Sequence, residues 1–143
     1  MKKLLSLFTA LVLLPATLLA AEAPKVSAAE AAKLVAAGKA VLVDVREPAE
    51  CQETGVAAPA LQLPKSDFDG TKKEWKEFLA HVGNKQVITY CRSGGRAGAV
   101  AAALNAQGVK AASAGGLKDW TAAGLPTRAA DAAKPDATPA PKK

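Results

Sequence analysis

The chain has 143 residues, 50% hydrophobic but only 4% aromatic, and a formal charge of +6. That length allows one small domain with one core, and scattered lysines with so few aromatics do not make a nucleic-acid surface. Two cysteines and one histidine, with no CxxC and no His/Cys cluster, argue against a thioredoxin-type redox pair and a zinc site.

The first stretch, MKKLLSLFTALVLLPATLLAAEAP, places Lys2 and Lys3 ahead of an apolar run from Leu4 to Leu19. A run of this length falls short of the roughly 20 residues of a membrane span and, with small residues after it, reads as a secretory signal. Residues 1–21 are therefore expected to be removed, with the cut between 20 and 23. Loss of both lysines lowers the charge to +4, 17 basic against 13 acidic residues. No cysteine follows the run to take a lipid, so the expected product is a periplasmic or secreted protein free of the membrane. A compact monomer is the default. At the other end, residues 128–143 are alanine, proline and charge, the composition of a disordered tail, which leaves 24–127 as the folded domain.

Within that domain Ser27 and Glu30 form a capping box for a helix that ends at Gly38. AVLVDV, Ala40 to Val45, is a short β-branched run of the kind buried on both faces of a parallel sheet, with Asp44 and Arg46 at its C-terminal end. REPAECQETGVAAPALQLPKSDFDG reads mostly as loop, with ALQL admissible as a short strand. Thr71 and Glu74 suggest a second capping box, opening an amphipathic helix that carries Trp75, Phe78, Leu79 and Val82 on one face and ends at Gly83. His81 near its end reads as a helix-dipole partner or a solvated residue rather than a base. QVITY is a buried strand, RAGAVAAALNAQG a helix of small residues, VKAAS a weaker strand and LKDWTAAG a short helix. Trp120 and Leu117 are expected to seal the core beneath that helix, with Gly115 and Gly116 at the mouth of a site. Alternating strands and helices predict an α/β fold with right-handed crossovers and helices on both faces of a small parallel sheet.

In such sheets ligands bind beyond the carboxyl ends of the strands. Cys91 occupies that place, and the turn CRSGGR separates its strand from the next helix. Gly94 and Gly95 allow backbone angles that turn successive N–H groups inward as an anion nest. The helix N-terminus, Arg92 and Arg96 add positive potential that favours a thiolate at Cys91, the form that acts as a nucleophile. A cysteine taken alone is more often a core residue; the strand end, paired glycines, two arginines and helix start together favour the reactive reading.

VLVDVREPAE, TYCRSGGRAG and AGGLKDW resemble, in order and spacing, the single-domain rhodaneses, or thiosulfate sulfurtransferases, especially the small exported ones. The resemblance spans about residues 26–126. It implies a rhodanese-like fold and a catalytic Cys91 that takes the outer sulfur of thiosulfate, releases sulfite and passes the sulfur from a persulfide to cyanide or a thiol. Arg92, Ser93, Gly94, Gly95 and Arg96 would cradle the persulfide and bind the small anionic donor, with no metal or organic cofactor. Asp44 and Arg46 match the family's D-x-R motif and would support the loop without reacting; the competing reading is a strand-end surface ion pair. Related cysteine phosphatases carry C-x5-R, and the shorter C-x4-R from Cys91 to Arg96 favours sulfur over phosphate.

Two departures stand out. Where the family has GHIPGA this chain has GVAAPA, Gly55 to Ala60, which bears on the conformation of that loop rather than on the reaction. Cys51 replaces a frequent core aromatic. It reads first as a buried thiol, with a resolving thiol or a disulfide to Cys91 as the functional alternatives. A sulfur carrier or partner-binding module with poor turnover, and a Cys51/Cys91 redox protein, remain the competing functions.

Overall fold

The computed structural model describes residues 21–130. The expected signal up to Ala20 and the tail beyond residue 130 lie outside the described residues.

Ser27 caps the first helix, α1 (Ala28–Ala36), as its sequence predicts: its Oγ accepts the Glu30 N–H at 3.1 Å. Strand β1 (Ala40–Asp44) follows. The next segment, expected as loop, instead forms α2 (Pro48–Thr54). Pro48 supplies a pre-set φ in the first turn, and the Glu47 N–H donates to Glu50 Oε2 at 3.1 Å. Two short strands, β2 (Val56–Ala57) and β3 (Leu61–Gln62), and a short helix α3 (Lys65–Asp69) complete this connection.

The amphipathic helix α4 spans Lys73–His81, but its cap differs from the expected Thr71 box. Asp67 takes that place, its carboxylate accepting the backbone N–H groups of Lys73, Glu74 and Trp75 and the Thr71 hydroxyl at 2.7–3.2 Å. A carboxylate at a helix start satisfies several orphan donors at once, which a threonine hydroxyl cannot. Strand β4 (Gln86–Cys91), α5 (Gly95–Ala106), β5 (Ala111–Gly116), α6 (Leu117–Ala122) and β6 (Thr127–Arg128) finish the fold.

The main sheet has the order β3-β1-β4-β5, all parallel. One face buries Val43, Val45, Phe68, Trp75, Phe78, Val87, Val100 and Leu104 under α3, α4 and α5. The other buries Leu42, Ile88, Tyr90 and Trp120 with Ala28 and Ala31 of α1. Adjacent residues of β1 and β4 thus point into opposite cores, which is why both strands read as mostly apolar runs. Trp120 closes the second core and Leu117 packs against it half-buried.

Arg128, expected in the tail, belongs to the fold. It pairs with Val56 across an antiparallel β2/β6 ribbon, and its guanidinium donates to the carbonyls of Ala58 at 3.0 Å and Ala60 at 2.7 Å. Two of the backbone acceptors of the GVAAPA loop are thereby satisfied. Among the described residues, no helix is long and apolar enough to cross a membrane.

Candidate active site

Cys91 is the last residue of β4 and is almost wholly buried. The chain must reverse within three residues to enter α5, and Gly94 makes this feasible with φ +104, a conformation strained for any side chain. The turn brings the Gly94 N–H back to the sulfur, Sγ accepting at 3.1 Å. Sγ therefore lies at the N-terminal end of a twelve-residue helix, where backbone N–H groups lack intrahelical partners and the dipole is positive. Arg92 and Ser93 are exposed on the rim.

The loop rests against the β5–α6 corner. A Cβ on Gly116 would collide with the Arg92 carbonyl oxygen, and one on Gly94 would sit 3.4 Å from Gly115 Cα. The expected place of Gly115 and Gly116 beside the site is what the structure shows, and at Gly116 it requires bare backbone.

Arg96 does not point its charge freely at the cradle. Its two terminal nitrogens form a two-pronged pair with Glu50, Nη1–Oε2 at 2.6 Å and Nη2–Oε1 at 2.7 Å. Since Glu50 Oε2 also accepts the Glu47 N–H, the start of α2 is tied to the start of α5. The bond to Arg96 is the main cause that holds the Glu50 carboxyl down near 2, against an ordinary 4.5. A depressed carboxylate contributes stability above its unfolded value and loses it as the pH falls. The contribution of the tie to stability should thus be complete above about pH 5 and fall away as the pH drops through 4.5 toward 2.

Glu50→Gln is expected to slow sulfur loading at Cys91 about tenfold, while costing only about 1 kcal/mol because the pair is partly solvated. Thermal melts of both proteins between pH 7 and 2 check this, and the gap between them should close on acidification.

Asp44 and Arg46, the expected supporting pair, are buried and not a surface pair: their side chains are 0% and 3% exposed. Arg46 Nε bonds both Asp44 oxygens at 3.0 and 3.1 Å, and Nη2 reaches Oδ2 at 2.6 Å. The remaining donors take Thr54 Oγ1 at 2.7 Å and the Gly55 carbonyl at 2.8 Å. Burial works against the guanidinium charge, but the bonds and charge of Asp44 outweigh it and raise the Arg46 pKa. The pair joins the C-terminal end of β1 to the end of α2, the helix that carries Glu50. Arg46 also lies over the Tyr90 ring at 5.9 Å, so the pair meets both α2 and the strand that ends in Cys91.

Cys51, on the same helix, is fully buried, and both cysteines are free thiols. Burial, and then the Asp44 charge, push its pKa up to about 12. A thiol so hard to ionise is a poor resolving nucleophile; Cys51 is the buried thiol expected first, with no bridge to Cys91 in this structure. His81 is exposed, with Nδ1 2.8 Å from the Glu77 carbonyl, in the last turn of α4.

Residues 91–96 thus form one turn in which Gly94 N–H meets Cys91 Sγ and Arg96 is held by Glu50, while Asp44 and Arg46 lie at the end of β1. Glu50, which the sequence did not single out, holds Arg96 at one flank. For Glu50 the available signal was its place three residues after Glu47 in a capping pattern.

These features define an α/β protein with a buried cysteine at the end of a parallel strand, its sulfur accepting an N–H from the turn that opens the next helix. The rhodanese-like domain profile matches residues 27–123, and the chain belongs to that family. No curated protein matches it. Among solved structures, a rhodanese-related protein from Thermoplasma volcanium is similar at 25% identity and a TM-score of 0.61, over 73% of this chain and 97% of its own. The human single-domain sulfurtransferase is 26% identical over 70% of this chain and 96% of its own, with a TM-score of 0.56. A polysulfide-sulfur transferase homodimer from Wolinella succinogenes is 25% identical, over 74% and 78% of the two chains, with a TM-score of 0.58. Family and neighbours together support a role in sulfur transfer.

Proposed function

We propose that the protein is an exported, monomeric sulfurtransferase that moves sulfane sulfur from thiosulfate, or a similar small anionic donor, to cyanide or a thiol. The observation that carries this reading is the position of Cys91 Sγ, bonded to the Gly94 N–H at the N-terminal end of α5.

The Cys91 thiolate attacks the outer sulfur of thiosulfate. A new S–S bond forms to Sγ, the old S–S bond breaks, and sulfite leaves with the bonding electron pair. The loop N–H groups and the helix dipole stabilise the negative charge as it moves to the outer sulfur. Arg92 on the rim draws the anionic donor in. The acceptor then attacks the outer sulfur of the persulfide, which gives thiocyanate or a new persulfide and returns the Cys91 thiolate. Every sulfur stays in the two-electron exchange, so no outside oxidant or cofactor is needed.

Intact-mass spectrometry of the mature protein, before and after thiosulfate, tests the first half-reaction. One added sulfur atom per chain is the expected result, and thiocyanate release with cyanide tests the second. No added sulfur would overturn the donor assignment; loading with negligible turnover would make the protein a sulfur carrier instead. Recovery of the mature mass from the extracytoplasmic fraction tests export.

A further inference from the structure

The pairing of β4 with β5 is not regular where it matters most. Thr89 faces Ser113, yet Cys91 faces Gly116, so two steps along β4 match three along β5. The extra residue is a β-bulge, a device that is rare in parallel pairs and that re-aims side chains beside active sites. Gly115 takes it up with φ +78. Without the bulge, Gly115 would stand opposite Cys91 and the bare Gly116 backbone would not meet the Arg92 carbonyl.

A bulge leaves N–H groups without ladder partners, and here two side chains receive them. Asp119 Oδ2 accepts the Gly116 N–H at 2.8 Å, and Ser113 Oγ accepts the Gly115 N–H at 3.3 Å. The same Oδ2 is so close to Gly115 that a Cβ there would lie 2.7 Å from it. We propose that Asp119 is a positioning residue for the Cys91 loop: by holding Gly116 opposite Cys91, it fixes the wall on which residues 92–94 rest. It touches no substrate and acts through Gly116 and the Arg92 carbonyl on the cradle that presents Gly94 N–H to Sγ. Only the sulfur-loading arm of its test rests on the sulfurtransferase reading.

The test compares wild type with Asp119→Ala and Asp119→Asn well below their unfolding temperatures, by three readings. These are hydrogen exchange at the Gly116 amide, alkylation of Cys91 by neutral iodoacetamide and anionic iodoacetate, and loading from thiosulfate. The alanine variant should exchange Gly116 faster, react with iodoacetate about tenfold more slowly with a smaller change for iodoacetamide, and load sulfur about tenfold more slowly. Asparagine keeps an acceptor oxygen and should restore all three. Faster exchange with alkylation within twofold of wild type would overturn the proposal, since that is what a merely structural cap predicts. Unchanged exchange, or an asparagine variant as defective as alanine, would overturn it too. Ser113→Ala tests the other end of the bulge by the same readings, with an expected threefold effect, and decides the matter if Asp119→Ala does not fold. Should wild type take no sulfur from thiosulfate, the function assigned above fails while the alkylation comparison still judges the bulge.

Discussion

Cys91→Ser should abolish sulfur loading, with at least a thousandfold loss and no change in fold. Loss of a nucleophile commonly costs more than this, because the remaining site can orient a donor but cannot bond to it. Serine is the sharper replacement. Its hydroxyl fits the same buried position and still accepts the Gly94 N–H that Sγ accepts at 3.1 Å, so the cradle should persist while the reactive sulfur is gone. The stability cost should stay below about 2 kcal/mol, within the usual range for a conservative buried change. Loading by intact mass and a thermal melt on the same sample check both halves. Retained loading would remove Cys91 from the mechanism. Cys51 offers no substitute, since it is fully buried and its thiol pKa is pushed up to about 12.

The parts of this fold that the sequence disclosed are those whose signal is contiguous. β1 and β4 are mostly apolar runs because each is buried on both faces, and the Cys91 loop carries cysteine, glycines and arginines within six residues. α2 was hidden because it is short and has one buried residue, Cys51, so no helical period can emerge from it. Asp67 was hidden for a different reason. It caps α4 from six to eight residues upstream, outside the spacing of a local capping box, and Thr71 satisfied the local pattern falsely.

The flanks of the site were invisible on similar grounds. Glu50 and Arg96 are 46 positions apart, and neither has a neighbour that announces the other. The bulge exists only in the register between two strands. Arg128 looked like tail because its composition is that of its neighbours, although its partners lie near residue 60. Local chemistry was legible, while the bonds that fix its geometry depend on tertiary pairing.

Asp44→Ala should be the most destabilising single change among the residues around the site. It would strip a 3% exposed guanidinium of its counter-ion, leaving Thr54 Oγ1 and the Gly55 carbonyl as its remaining partners. Removing one member of a buried pair typically costs about 3–5 kcal/mol, because the other charge stays desolvated. For a domain whose total stability is on the order of 5–15 kcal/mol, this predicts a fall in Tm of roughly 12 °C or more. Loading should fall as well, since Arg46 would seek water and pull the end of α2, and with it Glu50, away from Arg96. Adding Arg46→Met to Asp44→Ala separates charge from shape. If the unpaired charge is the cause, the double variant should regain stability relative to Asp44→Ala, as a double-mutant cycle measured by denaturant unfolding would show. A loss below about 1 kcal/mol for Asp44→Ala alone would mean that Arg46 escapes to solvent at little cost, and that the loop does not depend on the pair behind it.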